Sequence, residues 1–345
     1  SRAITDGPTT TLGRAFAAQA EAHPGQSGIL LLRHGRDAFV GRALLARQAE
    51  RSIDLQYYMY HQDTVGNLLN RELLKAADRG VRVRMLIDDI YGNKGEDTRR
   101  ALDAHPQIEV RMWNPFIRGR TRALQYVFRA RDVNYRMHAK TFTVDNSATV
   151  LGGRNIGDEY FQADPKLAFT DLDALAVGPV VASVSAEFDE YWNSDYAYPI
   201  PTLERGGTEA DVDRLRGELE SFLKEHSTSV YVEALDHSEL ADALRQHTVS
   251  FGWSEARIIH DSSQKKAHDA QWQDELLISQ LAPTIVGARR EAIIVSPYFV
   301  PGKRATEALC KLARDGVRVR ILTNSLVSND VAAVHAGYVR YRKPL

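Results

Sequence analysis

Hydrophobic positions near the start of the chain follow two periods in succession. Residues 51–60 alternate between apolar and polar types and are rich in aromatic and β-branched side chains, which predicts a strand. In residues 64–79 the apolar positions recur at helical spacing, and Gly80 follows as a left-handed cap. Residues 81–87 predict a second strand. A strand, a crossover helix and a strand form a βαβ unit, so we expect a sheet that is at least partly parallel.

One sequence phrase occurs twice. ADRGVRVRMLID at residues 77–88 recurs as ARDGVRVRILTN at residues 313–324, and a helical pattern preceded by an aromatic-containing strand lies before each copy. Helix–glycine–strand joints also recur by chance in α/β proteins, but the matching order of elements favours an internal duplication. Between the copies, residues 196–210 contain two prolines and two glycines, a composition typical of linkers. We therefore predict two domains, residues 1–200 and 201–345.

Length and composition agree with two globular domains. A single hydrophobic core stops growing at about 250–300 residues, and this chain has 345 residues, of which 43% are hydrophobic and 26% charged. The single cysteine, Cys310, has no partner for a disulfide within the chain. Cysteine usage therefore indicates neither an oxidising nor a reducing compartment. No apolar stretch approaches the roughly 18 residues of a spanning helix. We expect this chain not to cross a membrane.

Positive charge is concentrated in one stretch, although 44 basic and 45 acidic residues nearly cancel over the whole chain. Between residues 111 and 140 the only acid is Asp132, and the basic residues are Arg111, Arg118, Arg120, Arg122, Arg129, Arg131, Arg136 and Lys140. This stretch favours anionic partners, either phosphate esters or an acidic lipid surface. A solvated arginine-rich face with ion pairs to distant acids predicts the same pattern.

Large apolar side chains interrupt this cationic stretch and have two interpretations. They are Trp113, Phe116, Ile117, Tyr126 and Phe128. They suit a surface that docks on anionic lipid, with the aromatic rings at the headgroup level. The helical spacing of Leu124, Val127 and Phe128 fits a helix packed into the core equally well. The sequence leaves both interpretations open.

The residues that carry chemistry lie in residues 137–155, MHAKTFTVDNSATVLGGRN. A strand that begins at His138, a turn at Asp145 and a return strand predict a hairpin. Strand side chains alternate, so His138 and Lys140 are expected to point the same way, whereas Asp145 has the opposite parity. A neutral imidazole can attack phosphorus near pH 7 and form a covalent phosphohistidine. Lys140 and the Asn155 amide can bind the non-bridging phosphate oxygens.

At these residues the sequence resembles the HKD motif of the phospholipase D superfamily, His138-x-Lys140-x4-Asp145-x6-Gly152-Gly153-x-Asn155. Further phrases are similar to bacterial cardiolipin synthases, closest to the C type: WNPF at 113–116, GGRNIGDEYF at 152–161, FTDLDALAVGPVV at 169–181 and FDEYWNS at 188–194. The resemblance implies an α/β fold, a phospholipase D-like duplicated α-β-α sandwich with a mixed sheet flanked by helices. Residues 1–200 would form the first such domain and 201–345 the start of the second, whose repeat is incomplete.

The resemblance also implies roles for single residues. The expected catalytic residues are His138 as the nucleophile, Lys140, Asp145, and Asp171 as the acid that orients the histidine; the expected substrate-binding residues are Asn155, Gly153 and Arg136. Asp173 and Glu159 are weaker candidates, for which a surface or capping role is the simpler interpretation. No spacing typical of metal ligands and no glycine-rich phosphate loop occurs, so we expect neither metal nor cofactor.

The implied activity is that of a phosphatidyltransferase, which passes a phosphatidyl group to phosphatidylglycerol and makes cardiolipin. The donor would be a second phosphatidylglycerol or phosphatidylethanolamine. The expected partners are anionic phospholipids at a peripheral position on the bacterial cell membrane, without nucleic acid. The alternatives are phospholipid hydrolysis, nuclease action on the same fold, and a non-catalytic lipid-binding module.

The superfamily builds its active site from two HKD motifs, and these 345 residues contain one. When the offset from Gly80 to His138 is applied to Gly316, a second histidine is expected at about residue 374. We therefore expect these 345 residues alone to be inactive.

Overall fold

A nine-stranded mixed sheet organises the first of the two units into which the chain divides, Ser1–Ala267 and His268–Leu345. The computed structural model describes residues 1–91, 95–119, 121, 125, 135–164, 168–263, 277–326 and 332–345. The strands of the first unit are β1 (Ser27–Leu32), β2 (Ser52–Tyr57), β3 (Arg82–Asp88), β4 (Ile108–Trp113), β5 (Thr141–Val144), β6 (Ala148–Gly152), β7 (Asp173–Val177), β8 (Ala197–Pro199) and β9 (Gly252–Ser254). Its helices are α1 (Thr11–Ala20), α2 (Gly35–Gln48), α3 (Thr64–Asp78), α4 (Glu96–Asp103), α5 (Asp158–Phe161), α6 (Pro179–Trp192), α7 (Ile200–Leu203), α8 (Glu209–Glu225), α9 (Val230–His237) and α10 (Glu239–Arg245).

The strand order is β8-β4-β3-β2-β5-β6-β7-β1-β9. Strands β2, β3 and β4 are parallel, and the remaining neighbours pair antiparallel. The predicted βαβ unit is confirmed as β2-α3-β3. Its helix begins where the Asp63 side chain accepts a hydrogen bond from the Gly66 amide. It ends before Gly80, whose φ of +92° is the left-handed conformation that the sequence predicted.

Helices cover both faces of this sheet, as the side chains of β2 show. Tyr57 faces α2, because its hydroxyl accepts a hydrogen bond from Arg42 Nε at 2.8 Å. The neighbouring Gln56 faces α6 and donates to Glu187 at 2.8 Å. Successive strand residues point to opposite faces, so the sheet lies between α2 and α6. The predicted α-β-α sandwich is confirmed.

The predicted boundary at residue 200 differs from the observed division, which falls between Ala267 and His268. Residues beyond 200 continue the first unit: β9 pairs with β1, α8 packs on α3 and α4, and α9 and α10 pack on α2. The buried side chains that make these contacts include Val212, Leu215, Leu219, Tyr231 and Leu235. The proline- and glycine-containing segment is therefore a connection inside the unit, because the helices after it bury apolar faces against the first core.

The second unit contains α11 (Leu277–Val286), β10 (Glu291–Val295), α12 (Gly302–Arg314), β11 (Arg318–Leu322) and α13 (Ala332–Arg342). Strands β10 and β11 are parallel and are joined through α12. Gly316 ends that helix with a φ of +90°, close to the value at Gly80. The order, the pairing and the glycine cap of β2-α3-β3 thus recur, which confirms the duplication that the repeated phrase predicted.

A buried ion pair joins β2 and β3 on the α6 face of the sheet. Arg84 donates to both carboxylate oxygens of Asp54 at 2.7 and 2.8 Å, and the two side chains are 1% and 3% exposed. The same guanidinium contacts Asp189 of α6 at 2.8 Å and lies 4.8 Å from the centroid of the Phe188 ring. These contacts link two parallel strands to the helix that covers them.

We predict that Asp54→Ala lowers the free energy of unfolding by about 3–5 kcal/mol, because Arg84 is left buried without its main counter-charge. The double variant Asp54→Leu, Arg84→Met should recover most of that loss, since it removes both buried charges. Urea denaturation of the three proteins tests this prediction. Equal stability of Asp54→Ala and the parent chain would contradict it.

Candidate active site

His138 lies on an irregular segment directly before β5. The structure begins this strand at Thr141, three residues later than the sequence predicted. Strand-like pairing extends slightly further back, because the Gly152 amide donates to the Lys140 carbonyl at 3.3 Å. The His138 side chain is exposed. An exposed imidazole is open to a substrate, which a nucleophile requires.

The buried carboxylate of Asp88, at the end of β3, holds this segment in place. It accepts hydrogen bonds from the Met137 amide at 2.9 Å and from Arg136 Nη1 at 2.9 Å. The Arg136 side chain is only 6% exposed, and its guanidinium lies 4.9 Å from the centroid of the Phe116 ring. The prediction that Arg136 binds substrate phosphate is corrected, because its charge is buried against Asp88.

Tyr58, which lies outside the motif and was not among the predicted site residues, contacts both central residues of the motif. Its ring stacks on the His138 imidazole with a centroid distance of 4.1 Å and an angle of 20°. The Lys140 Nζ lies 5.6 Å from the same ring centroid and donates to the His138 carbonyl at 2.6 Å. The signal was present in QYYMY, where a second aromatic residue follows the last residue of β2.

Burial changes the electrostatics of Lys140. Desolvation lowers the pKa of its ammonium to about 8, although the nearby carboxylates of Asp171, Asp173 and Asp88 favour the charged form. The ammonium is thus mainly charged at pH 7, and it titrates far closer to neutrality than an ordinary lysine. Lys140 can bind an anion at neutral pH.

Asp171 lies against the first turn of the GGRN loop. A Cβ added at Gly153 would lie 1.9 Å from Asp171 Oδ1, so the carboxylate occupies the space that glycine leaves. The same oxygen accepts a hydrogen bond from the Leu172 amide at 2.8 Å, and burial raises the pKa of the Asp171 carboxyl. The charge of Asp171 interacts with that of Lys140. Its expected contact with His138 stays a prediction.

This geometry changes the role of Gly153. Its amide donates to the Leu172 carbonyl at 3.2 Å. The expectation that Gly153 binds substrate is therefore corrected: its amide is engaged within the protein, and its lack of a side chain makes room for Asp171.

Asn155 is buried, and its carboxamide is oriented by the chain that leaves β2. Its Oδ1 accepts a hydrogen bond from the Met59 amide at 3.0 Å, and its exposed fraction is 3%. Beyond it, the Ile156 amide donates to the Met59 carbonyl at 3.1 Å. Because a carboxamide is planar and carries oxygen and nitrogen on opposite sides, the Met59 contact directs the Asn155 N–H donors away from that backbone.

Arg154, the variable residue of the GGxN pattern, fixes the loop from inside. It is 2% exposed, and its guanidinium donates to four carbonyls, those of Leu32, Arg33, Tyr160 and Asp171. Asp173 accepts from the Arg154 amide at 3.2 Å and from Arg42 of α2 at 2.8 Å. The weaker candidate Asp173 thus has a structural role, in an ion pair that is fully buried.

Asp145 has a structural role too, and its assignment as a catalytic residue is corrected. Its buried carboxylate accepts three hydrogen bonds from the backbone where α2 leads into β2, from the amides of Glu50, Arg51 and Ser52 at 2.8–3.0 Å. Asp145 and Asn146 form the hairpin turn, with φ values of 52° and 46°. The carboxylate therefore joins the hairpin to the neighbouring strand at the end of β5 opposite to His138.

The cationic stretch is largely neutralised where the structure describes it. Arg111 pairs with Glu109, Arg118 with Asp89 and Glu204, and Arg136 with Asp88. Trp113 and Phe116 are 1% and 2% exposed and belong to the core, whereas Ile117 is 44% exposed. Lys140 belongs to the site described above, and Arg120, Arg122, Arg129 and Arg131, together with Leu124, Tyr126, Val127 and Phe128, lie outside the described residues.

Within the described part of the chain, one group of three residues has the spacing of metal ligands: His61, Asp63 and Glu159, with ligand atoms within 4.8 Å of one another. Other contacts account for this arrangement. Asp63 caps α3, and Glu159 pairs with His61 at 3.4 Å, which lowers the pKa of its carboxyl. The weaker candidate Glu159 thus pairs with a histidine other than His138.

The mixed sheet between helices and the single HKD hairpin define a phospholipase D-like protein. The chain belongs to the family described as "Cardiolipin synthase, PLD-like domain", which matches residues 44–192. It is 41% identical over 324 residues to cardiolipin synthase C of Escherichia coli K12, across 94% of this chain and 68% of that protein. It is 33% identical over 344 residues to an uncharacterized protein of Helicobacter pylori J99, across 98% of this chain and 67% of that protein. The resemblance seen in the sequence is confirmed.

A solved structure shows the same fold over most of the chain. Phosphatidylserine synthase of Haemophilus influenzae Rd KW20 superposes with a TM-score of 0.53 at 15% identity, covering 92% of this chain and 67% of that one. This chain therefore spans about two thirds of the length of each of these three proteins.

We predict that Asp145→Ala lowers the free energy of unfolding by about 2–4 kcal/mol, because three backbone N–H groups lose a charged acceptor. The affinity for sulfate at pH 7, a probe of the site around Lys140, should stay unchanged. Urea denaturation and titration calorimetry test the two parts. Unchanged stability with lost sulfate binding would restore Asp145 to the active site.

We predict that sulfate binding weakens by about tenfold between pH 7 and pH 9.5, because the Lys140 ammonium loses its proton around pH 8 and a charged hydrogen bond with it. Sulfate keeps its charge over this range, and an ordinary lysine would begin to lose its proton about two pH units higher. Calorimetric titration across the range measures the effect. Lys140→Ala should bind weakly at every pH, and a parent affinity that stays constant up to pH 9.5 would refute the prediction.

Proposed function

We propose that this chain carries the nucleophilic half of a phospholipase D-type active site and acts in cardiolipin synthesis. The observation that carries the proposal is the exposed His138 imidazole beside the Lys140 ammonium, on a hairpin whose GGRN loop orients Asn155. Similarity to cardiolipin synthase C of E. coli over 94% of the chain supports the choice of substrate class.

In the proposed first step, one imidazole nitrogen of His138 attacks the phosphorus of a donor phospholipid. The nitrogen–phosphorus bond forms, the bond from phosphorus to the headgroup oxygen breaks, and the leaving oxygen takes a proton from a general acid. Lys140 and the Asn155 amide bind the non-bridging oxygens as charge redistributes. Asp171 is the proposed acid that orients the imidazole, and its charge interaction with Lys140 supports a place for it in the same site.

In the second step, a hydroxyl of phosphatidylglycerol attacks the phosphohistidine. The phosphorus–oxygen bond of cardiolipin forms, the phosphorus–nitrogen bond breaks, and a general base accepts the hydroxyl proton. We assign both the acid and the base to a second HKD histidine, which these 345 residues do not contain. This assignment is the reason for which we expect the chain alone to be inactive.

The proposed substrates are anionic phospholipids, with phosphatidylglycerol as the acceptor and phosphatidylglycerol or phosphatidylethanolamine as the donor. The proposed location is the surface of the bacterial cell membrane, where these lipids present their headgroups. None of the helices that the structure describes combines the length and the hydrophobicity needed to cross a bilayer. A peripheral contact would bring the headgroup to the exposed His138.

We predict that these 345 residues make cardiolipin from phosphatidylglycerol vesicles when a second HKD motif is supplied, within one polypeptide or as a separate chain, and do not make it without that motif. His138→Ala in the protein with both motifs should abolish cardiolipin formation and the phosphatidyl-enzyme, because no nucleophile remains. Mass spectrometry of the lipids, with labelled phosphatidylglycerol and phosphatidylethanolamine, measures the product and identifies the donor. His105→Ala is the control, because it removes an imidazole that pairs with Asp78 away from the site.

Three outcomes would change the proposal. Phosphatidic acid as the only product would make the protein a hydrolase. Turnover by the 345 residues alone would refute the need for a second motif. A phosphatidyl-histidine that persists in His138→Ala would refute the nucleophile.

A further inference from the structure

Tyr58 lies where β2 ends and the chain turns toward the active site. The two consecutive tyrosines have different environments. Tyr57 is fully buried against Arg42, while Tyr58 is half-buried and places its ring face on the His138 imidazole. The centroids are 4.1 Å apart and the planes are inclined by 20°. This is a stacked contact between residues 80 positions apart in the sequence.

We propose that Tyr58 is a positioning residue for the nucleophile: its ring holds the His138 imidazole in the orientation for attack and favours the positively charged imidazole of the transition state. This inference rests on the proposed function, since it deepens the account of the same site. The ring acts through His138 and takes no part in bond making.

The need for such a residue follows from the backbone around His138. Residues 135–140 have no regular secondary structure, and the His138 side chain is exposed. An exposed side chain on such a segment populates several rotamers. Fixing one of them costs conformational entropy and raises the barrier to attack, unless a contact already holds the side chain in that rotamer. The Tyr58 ring provides that contact, since a flat stack limits the rotation of the imidazole.

The electrostatics of the stack favour the transition state over the ground state. The imidazole is neutral before attack and gains positive charge as its nitrogen bonds to phosphorus. The face of a tyrosine ring carries negative charge density. It therefore attracts a positively charged imidazole more strongly than a neutral imidazole. An interaction that strengthens along the reaction path lowers the barrier without tightening substrate binding.

The backbone that carries Tyr58 also fixes the phosphate ligand on the other strand of the hairpin. The Met59 amide donates to Asn155 Oδ1, the Met59 carbonyl accepts from the Ile156 amide, and Tyr60 bridges to Ile156. One short segment therefore sets the position of the imidazole through Tyr58 and of the carboxamide through Met59.

The test compares Tyr58→Leu, which removes the ring, with Tyr58→Phe, which keeps the ring and removes the hydroxyl. Tyr198→Leu, at an exposed tyrosine of β8, is the matched control. Proton NMR of the histidine-labelled 345-residue chain reports the stack directly, because the Tyr58 ring shifts the proton signals of the His138 imidazole upfield. The signals that disappear in His138→Ala are those of His138. We expect the shift in the parent chain and in Tyr58→Phe, and its loss in Tyr58→Leu alone.

The kinetic measurement uses the protein with both HKD motifs. We expect Tyr58→Leu to slow phosphohistidine formation by about five- to thirtyfold, with KM for phosphatidylglycerol nearly unchanged, and Tyr58→Phe to restore the rate. A stack seen by NMR together with a normal rate in Tyr58→Leu would overturn the positioning role and leave the proposed function standing. His138 signals that do not move in Tyr58→Leu would overturn the contact itself. Full activity of His138→Ala would instead overturn the proposed function, and the inference with it.

Discussion

The pairing of Asp88 with the segment before β5 is the constraint on which the active-site geometry depends. At the end of a parallel strand, one buried carboxylate binds the Met137 amide and the Arg136 guanidinium. Burial raises the pKa of this carboxyl to about 6, and the arginine opposes that rise. At neutral pH the acid is thus charged, and the pair stays intact. The segment is thus held at the end of β3, and the chain joins the sheet as β5 only at Thr141, which leaves the His138 imidazole exposed before the strand begins.

The three aspartates of the motif region lie close together in sequence but have different contacts and therefore different roles. Asp145 binds three backbone amides at the turn of the hairpin, Asp173 binds two arginines inside the sheet, and Asp171 occupies the gap above Gly153. Of the three, only Asp171 combines partial exposure with a charge interaction with Lys140. The two fully buried acids hold the backbone of the hairpin and of the loop, and Asp171 at the edge of the loop is the acid to which the proposed function gives a catalytic role.

The sequence predicted what depends on local periodicity. The βαβ units, the left-handed glycines and the hairpin turn follow from residues within a few positions of one another, and the structure contains all of them. The site residues that were assigned wrongly depend on distant partners. Asp145 meets amides that lie 93–95 positions earlier, and Arg136 meets Asp88 across 48 positions. The stack of Tyr58 on His138 spans 80 positions. A motif in one strand does not show which distant groups its side chains contact. For the same reason, the linker composition did not show that α8, α9 and α10 pack on α2 and α3.

The charges near the site also differ in how well nearby acids compensate them. Counted along the sequence, residues 111–140 are strongly basic, but Arg111, Arg118 and Arg136 each contact an acid, and such pairs contribute little field to an approaching anion. Lys140 is different, because its neighbouring carboxylates do not fully offset the desolvation of its ammonium, and its pKa falls to about 8. Burial has removed part of the hydration of this ammonium, and an incoming phosphate replaces it. Such a cation therefore gains more free energy on binding phosphate than a cation that already pairs with a carboxylate. Among the cations of this stretch that the structure describes, Lys140 is therefore the one to which we assign the main part in the proposed binding of the substrate phosphate.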